Sequence, residues 1–344
     1  MTPLQSPSAP PFEPALSLQE DPKTGESEEE WDGVDVSEDS DNGGDGDKFT
    51  VECTQEEVKK LTEDLLSLDV SEGGNNCATL FTYNLQGRRR GCEDMSDEPL
   101  FPEVHKELYD VPTISALQKL HDNYNPYTNK KENVTQEKIQ EQLNFIEACI
   151  NTKVMKRVHE WLVSKGLAVK DKVIFKTFLH ELWFAPYSRS HGVEGSSAFE
   201  HVFLGEVKGD REVTGFHSWF FFLEQERERK VDYYGFDAGK PLFLRKDNNC
   251  VKRNVGCVIK AAFEWNGIKK GKKGKKNEKD LVKLVSSFFL GFSPELELAI
   301  YTICFLVGPG KAVPISLAGE PINVRTHVVK RGGKEYLGAA YPEL

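Results

Sequence analysis

Two histidines stand sixteen positions apart inside runs that are otherwise apolar: Phe199-Glu200-His201-Val202-Phe203 and Gly215-Phe216-His217-Ser218-Trp219. Glu200 and Glu206 lie beside the first. A core excludes ionisable groups unless they are paired. Each histidine is therefore either a satisfied core residue or a titrating group in a site. Imidazoles titrate near neutrality, and two in unlike settings can divide the work of a base and an acid. Read as a strand, the first run puts Phe199, His201 and Phe203 on one face and Glu200 and Val202 on the other. His217 follows Gly215 by two residues, where a helix is expected to start. A helix N-terminus offers free N–H groups and positive potential, which suit a phosphate. On these features alone the satisfied core histidine is the commoner case, and both readings stay open. The remaining histidines say less. His105, His121 and His159 are in polar helical or loop context, and His180 is on a helix and partly buried. His191 sits in the loop "YSRSHGVEGSS", where it could line a site.

The cations are of two kinds. In "NGIKKGKKGKKNEKDLVK" lysines 269, 270, 272, 273, 275, 276 and 279 are interrupted by glycines. Such a loop can meet a phosphate backbone by charge alone, serve as a nuclear-localisation signal, or simply be solvated. Lys283 differs, because it opens the apolar run "LVSSFFLG". A lysine there can hold a fixed charge in a cleft.

The elements that must position these groups begin near Val51. Residues 1–50 hold fourteen acidic residues and two lysines, a net charge of −12 out of −11 for the whole chain, so the remaining residues carry +1. This Pro-, Ser- and acid-rich tail cannot bury enough apolar surface to order itself, and disorder is expected over 1–50. Trp31 within it is a candidate short motif for a protein partner, and the tail could also repel RNA as a mimic of nucleic acid. "TQEEVKKLTEDLLSL" predicts a helix with Thr54 and Glu57 as a capping box. Residues 70–100 are turn-rich and include Arg88-Arg89-Arg90. "TQEKIQEQLNFIEACIN", "TKVMKRVHEWLVSKG" and "DKVIFKTFLHELWFAPY" predict three further helices. Strands are expected at Phe199–Glu206, Lys230–Phe236, Cys257–Trp265 and Lys283–Leu290, with a hairpin around Gly319. Two helices interrupt them, one after Gly215 and one in "SPELELAIYTICFLV", where Ser293 caps and Pro294 takes the first position. The expected class is α+β: a mainly helical part over 51–190, then a β-rich part over 191–344 of antiparallel strands.

No basic leader precedes an apolar run, and no stretch reaches the about 18 apolar residues of a membrane span. The seven cysteines are scattered and show no zinc-ligand spacing. Reduced thiols in the cytosol or nucleus, no membrane association and a monomer are expected.

"SSAFEHVFLGE", "VTGFHSW", "VKLVSSFFLGFSPELELAIY" and "ISLAGEPINVRTH" together resemble the EndoU family of uridylate-specific endoribonucleases. "DMSDEPLFPEV" and "LWFAPYSRS" fit its upstream part, and the resemblance covers roughly residues 52–340. It implies catalytic roles for His201, His217 and Lys283, and a uracil contact for Ser287. It further implies activity-supporting roles for Glu200 and Glu206, a divalent metal, manganese, acting near them, and single-stranded U-containing RNA as substrate. Where the family has Thr-Tyr-Thr near its end, with the tyrosine packing on substrate, this chain has Thr326-His327-Val328. His327 and Thr326 are thus expected at the substrate. The implied reaction is attack by the 2′-OH, leaving a 2′,3′-cyclic phosphate and a 5′-OH, with His217 the base candidate and His201 the acid candidate. A silent RNA-binding protein and a metal hydrolase built on His201, Glu200 and Glu206 are the alternatives.

Overall fold

Thr54 caps the first helix as its sequence predicts. Its hydroxyl accepts the Glu57 N–H at 3.2 Å, and the Glu57 carboxylate accepts the Thr54 N–H at 2.8 Å. The helix that follows, α1 (Gln55–Asp69), buries Val58, Leu61, Leu65 and Leu66. A computed structural model of the chain describes residues 53–85, 87, 93–122, 124–190, 192–209, 212–245, 252–266, 281–331 and 333–344. The acidic tail, Arg88–Arg90, His191 and lysines 269–279 lie outside the described residues.

After α1 come the short antiparallel pair β1 (Phe81–Thr82) and β2 (Glu103–Val104), a 3-10 turn (Lys106–Asp110) and α2 (Pro112–Gln118). The periodic helices α3 (Gln136–Ile150), α4 (Lys153–Ser164) and α5 (Lys172–Phe184) stand where expected. Thr135, Thr152 and Asp171 accept N–H groups of their first turns. Next are the hairpin β3 (Tyr187–Ser190) and β4 (Val193–Ser196), α6 (Ala198–Phe203), the hairpin β5 (Glu206–Lys208) and β6 (Glu212–Thr214), and α7 (Trp219–Arg227). A three-stranded antiparallel sheet follows: β7 (Val231–Arg245), β8 (Lys252–Trp265) and β9 (Val282–Leu290). Helix α8 (Pro294–Val307) leads to the second, β10 (Ala312–Leu317), β11 (Glu320–Arg331) and β12 (Lys334–Glu343). The fold is α+β with antiparallel sheets.

One expected strand is a helix. Residues 198–203 form α6, with the Ser197 hydroxyl accepting the Glu200 N–H at 3.2 Å. Phe199, His201 and Phe203 fit a two-residue period, but Phe199 and Phe203 also fit a helical step of four. Their rings stack at 5.1 Å in the core, while His201 is turned to another side. The sequence carried the helix signal in Ser197-x-x-Glu200, a helix-start pattern.

Helix α8 is the centre of the molecule. All its residues except Leu306 are buried, Glu295 and Glu297 of its first turn included, and beyond that turn it is almost wholly apolar, as expected of a buried helix. It packs on α1, α2, α3 and α4 on one side and on β10, β11 and β12 on the other. The first helix also grips the last sheet directly. Glu63 of α1 accepts the N–H groups of Ala318 and Gly319 at 3.1 and 2.7 Å. Those two residues have φ of 55° and 77°, the left-handed pair of a tight hairpin turn. Helical and β-rich stretches therefore interleave. Among the described residues no helix is long and apolar enough to cross a membrane. Cys53, Cys77, Cys149, Cys257 and Cys304 are free thiols.

Candidate active site

The main chain brings His201 and His217 together. After β6, Gly215 and Phe216 both adopt left-handed conformations, with φ of 65° each. This reversal lays the segment against the end of α6: Phe216 N–H donates to the His201 carbonyl and His217 N–H to the Val202 carbonyl, each at 2.9 Å. A bulky residue at positive φ is rare and strained. Phe216 is held there by burial among Phe221, Phe222, Phe263 and Trp265. The two imidazole centroids end 5.9 Å apart. His217 lies just before Ser218, the N-cap of α7, so it precedes the helix rather than opening it.

Each ring is fixed through Nδ1. His201 Nδ1 meets Glu206 Oε2 at 2.7 Å, and His217 Nδ1 meets the Ser287 carbonyl at 2.9 Å. A carbonyl can only accept, so His217 carries its proton on Nδ1. Its Nε2, like that of His201 when Nδ1 donates to the carboxylate, is left as an acceptor. Both rings are almost wholly buried. Burial, then the nearby cations, pulls both pKa values well below the usual imidazole value, so both are neutral at pH 7. Arg189 stands behind Glu206 at 3.2 Å and donates from Nε to the Ser196 hydroxyl at 2.7 Å. Its guanidinium also reaches the Tyr187 hydroxyl and the Gly338 carbonyl. Burial raises the Glu206 pKa, and the Arg189 charge opposes that. The result is a chain from Arg189 through Glu206 to His201.

Lys283 is aimed by an irregularity in β9. Between the pairs Ala261↔Ser286 and Phe263↔Lys283, β8 advances two residues and β9 three. The extra residue is a bulge, which re-aims the side chains beyond it. Lys283 therefore shares a face with Ser286 rather than with Ser287. Lys283 Nζ lies 3.5 Å from the Val213 carbonyl, and the Ser286 hydroxyl donates to the Phe216 carbonyl at 2.6 Å. Both thus hold the segment that carries His217. Burial pushes the Lys283 pKa down to about 8, with Glu212 opposing. The Ser287 side chain is buried and makes no hydrogen bond among the described residues.

The second sheet closes the site with an aromatic ring that sequence reasoning missed. Tyr341 of β12 stacks on His217 at 4.8 Å, and its hydroxyl meets His327 Nε2 at 3.0 Å. His327 pairs with Ala339, which makes Tyr341 its diagonal neighbour on one face. Thr326, expected at the substrate, lies apart from His327. Adjacent strand residues point to opposite faces, and Thr326 is fully buried on the other one. There its hydroxyl donates to the Gly308 carbonyl and accepts the Gly310 N–H, both at 3.1 Å. It holds the turn after α8.

Glu200 and Glu206 do not converge on one point. Glu206 faces His201, whereas Glu200 accepts from Lys138 Nζ at 2.8 Å. Among the described residues no group of three or more His, Cys, Asp or Glu side chains is placed to hold a metal ion. A manganese site between the two acids does not fit this arrangement. Three of the other histidines have structural partners. His159 stacks on Phe175 at 4.2 Å, His180 meets Gln142 at 3.0 Å, and His121 packs on Phe220 and Phe221.

Gly215 is the position where this architecture is most exposed to a small change. A Cβ there would stand 2.0 Å from the His201 carbonyl oxygen, besides the strain of its positive φ. Gly209, at φ 59°, has nothing within 4 Å. Gly209→Ala should cost only the left-handed strain of about 1–2 kcal/mol. Gly215→Ala should lose more stability and also lower kcat at least tenfold by displacing His217, since a shift of about 1 Å can cost 10²-fold. Thermal unfolding and turnover on an RNA oligonucleotide measure both variants. Equal behaviour would remove Gly215 from this role.

Comparison with known proteins places the fold in an endoribonuclease family. A family profile described as "Endoribonuclease XendoU" matches residues 57–342, and the chain belongs to that family. Poly(U)-specific endoribonuclease-A of Xenopus laevis is 37% identical over 297 residues, which is 84% of this chain and 94% of that protein. Uridylate-specific endoribonuclease C of Danio rerio is 34% identical over 304 residues, 85% and 90% of the two. The uridylate-specific endoribonuclease of Bos taurus is 33% identical over 294 residues, and the chain spans 65% of its length. The solved structure of XendoU, described as a splicing-independent snoRNA-processing endoribonuclease, superposes with a TM-score of 0.62 at 32% identity, covering 83% of this chain and 96% of that one.

Proposed function

We propose that the protein is an endoribonuclease that cuts single-stranded RNA at uridylates. The observation that carries this reading is the facing pair of neutral imidazoles, each tethered through Nδ1 with Nε2 uncommitted, beside a lysine. RNA supplies its own nucleophile. His217 Nε2 takes the proton from the 2′-OH as the O2′–P bond forms. His201, once it has taken a proton from solvent at Nε2 with the phosphodiester bound, gives that proton to the 5′-oxygen as the P–O5′ bond breaks. The products are a 2′,3′-cyclic phosphate and a 5′-OH, with no water consumed. This division follows from what backs each ring. The Glu206 carboxylate stabilises an imidazolium at His201, whereas the neutral Ser287 carbonyl leaves His217 a free base. The phosphodiester's own charge helps His201 acquire its proton. The Lys283 ammonium faces the charge that builds on the phosphorane oxygens.

Base choice belongs to the Ser287 hydroxyl and the His327–Tyr341 pair, and uridine is inferred from the names of the relatives. The manganese dependence implied by the family resemblance is proposed as stimulation only. Activity after chelation and readdition tests it.

End-group analysis tests the chemistry. Cleavage should leave a cyclic phosphate and a 5′-OH, and 2′-deoxyuridine at the cut site should block it. A 5′-phosphate product would mean that water is the nucleophile and overturn the assignment. His327→Ala should preserve cleavage while weakening uridine preference, because it releases the Tyr341 hydroxyl. Rates on oligonucleotides differing only in U or A at the cut site measure this. An unchanged ratio would take residue 327 out of base recognition.

A further inference from the structure

His201 sits on a helix too short to hold itself. Helix α6 has six residues, well under the length at which helices persist alone. Its Glu200 is tied to Lys138, at the start of α3. Lys138 Nζ donates to Glu132 Oε2 at 2.7 Å and to Glu200 Oε1 at 2.8 Å, and the three side chains are only 6–8% exposed. The other Glu132 oxygen accepts the Asn125 N–H at 2.6 Å. The same stretch holds β5 next to Glu206: Val207 N–H donates to the Pro126 carbonyl at 2.6 Å, and Thr128 N–H to the Val207 carbonyl at 3.2 Å. It also lies on β4, where a Cβ on Gly195 would meet the Lys130 carbonyl at 2.2 Å. Residues 125–138 thus form a belt outside the catalytic residues that grips the acids on both sides of His201.

We propose that Lys138 is a positioning residue of the active site: its ion pair with Glu200 pins α6 so that His201 keeps its place against His217 and Glu206. Glu200 then acts through Lys138 and touches neither RNA nor a metal ion. This rests on the ribonuclease reading above. A buried carboxylate without its cation is costly, whereas an apolar pair of similar volume can replace a buried ion pair at little cost. That difference gives the test.

Lys138→Met and Glu200→Met should each lower kcat, by about 10–100-fold on the scale of a displaced catalytic group, with KM and affinity for a 2′-deoxy RNA nearly unchanged. Lys138→Arg should recover part of the loss, since it keeps the charge but not the compact ammonium. The triple variant Glu132→Gln/Lys138→Met/Glu200→Met should be more active than either single one, because Glu132 also loses its cation with Lys138 and only with all three changed does no unpaired charge remain. A triple variant no more active than Glu200→Met would mean that the carboxylate itself serves RNA or a metal, and the proposal would be wrong. Circular dichroism establishes the folded fraction. Should either methionine single variant not fold, Lys138→Gln takes its place: it breaks the ion pair with Glu200 while keeping a hydrogen-bonding side chain, and should lower kcat several-fold without changing KM. Normal kcat in Lys138→Gln would overturn the proposal. An inactive wild-type protein would instead overturn the ribonuclease reading.

Discussion

His217→Ala should lower kcat on U-containing RNA by about 10²–10⁴-fold, the worth of a positioned general base. Binding of an uncleavable 2′-deoxy analogue should hardly change, because burial keeps this ring neutral at pH 7 and its loss removes no charge. His201→Ala should lose a similar factor. The two losses should separate on a substrate whose 5′-oxygen is replaced by sulfur. A thiolate leaves without being protonated, so the acid is no longer needed. Cleavage by His201→Ala should recover on that substrate, while His217→Ala stays slow. The opposite pattern would exchange the two roles, and normal turnover in either variant on ordinary RNA would return that histidine to the core.

Lys283→Ala should lower kcat by about 10²–10³-fold, as for removal of one fixed group facing transition-state charge. The salt dependence of RNA binding should change by about one contact or less. Its pH signature is distinctive. Burial brings the Lys283 pKa down to about 8, so the ammonium is present at pH 7 and is lost as pH rises through that value. Wild-type kcat should therefore fall between about pH 7 and 9 by this group alone. Lys283→Arg should show a lower plateau, because the planar fork places its charge differently, but no such fall, because a guanidinium does not titrate there. The glycine-spaced lysines 269–279 provide the contrast. Neutralising them should weaken affinity and flatten its salt dependence while sparing kcat at saturation. Loss of turnover in that variant, with only affinity lost in Lys283→Ala, would put the catalytic charge in the wrong place.

The capped, periodic helices were legible in the sequence, and so were the hairpin at Gly319 and the apolar helix α8, because caps and apolar spacing are local signals. His201, His217, Lys283 and Ser287 were legible as a set only through motif resemblance; periodicity put His201 on a strand. Lys283 and Ser287, four apart, would share a face of a regular strand, and a single bulge separates them. A bulge adds a residue without leaving a compositional mark. Tyr341 and Arg189 went unread because their roles come from pairing between distant strands. Thr326, expected at the substrate beside His327, lies on the opposite strand face, as alternation alone requires.

The reversal at Gly215 and Phe216 also bears on how such an enzyme can change over time. The distance between the two imidazoles is written in peptide-to-peptide bonds, Phe216 to His201 and His217 to Val202, which depend on side-chain identity chiefly at Gly215 and at the buried Phe216 ring. His327 and Tyr341 sit on the separate β11–β12 ribbon. On the roles proposed above, drift at His327 can alter which nucleotide is preferred, whereas Tyr341, stacked on His217, stays bound to the reaction, so recognition and chemistry can evolve apart at one position of the ribbon and not at the other.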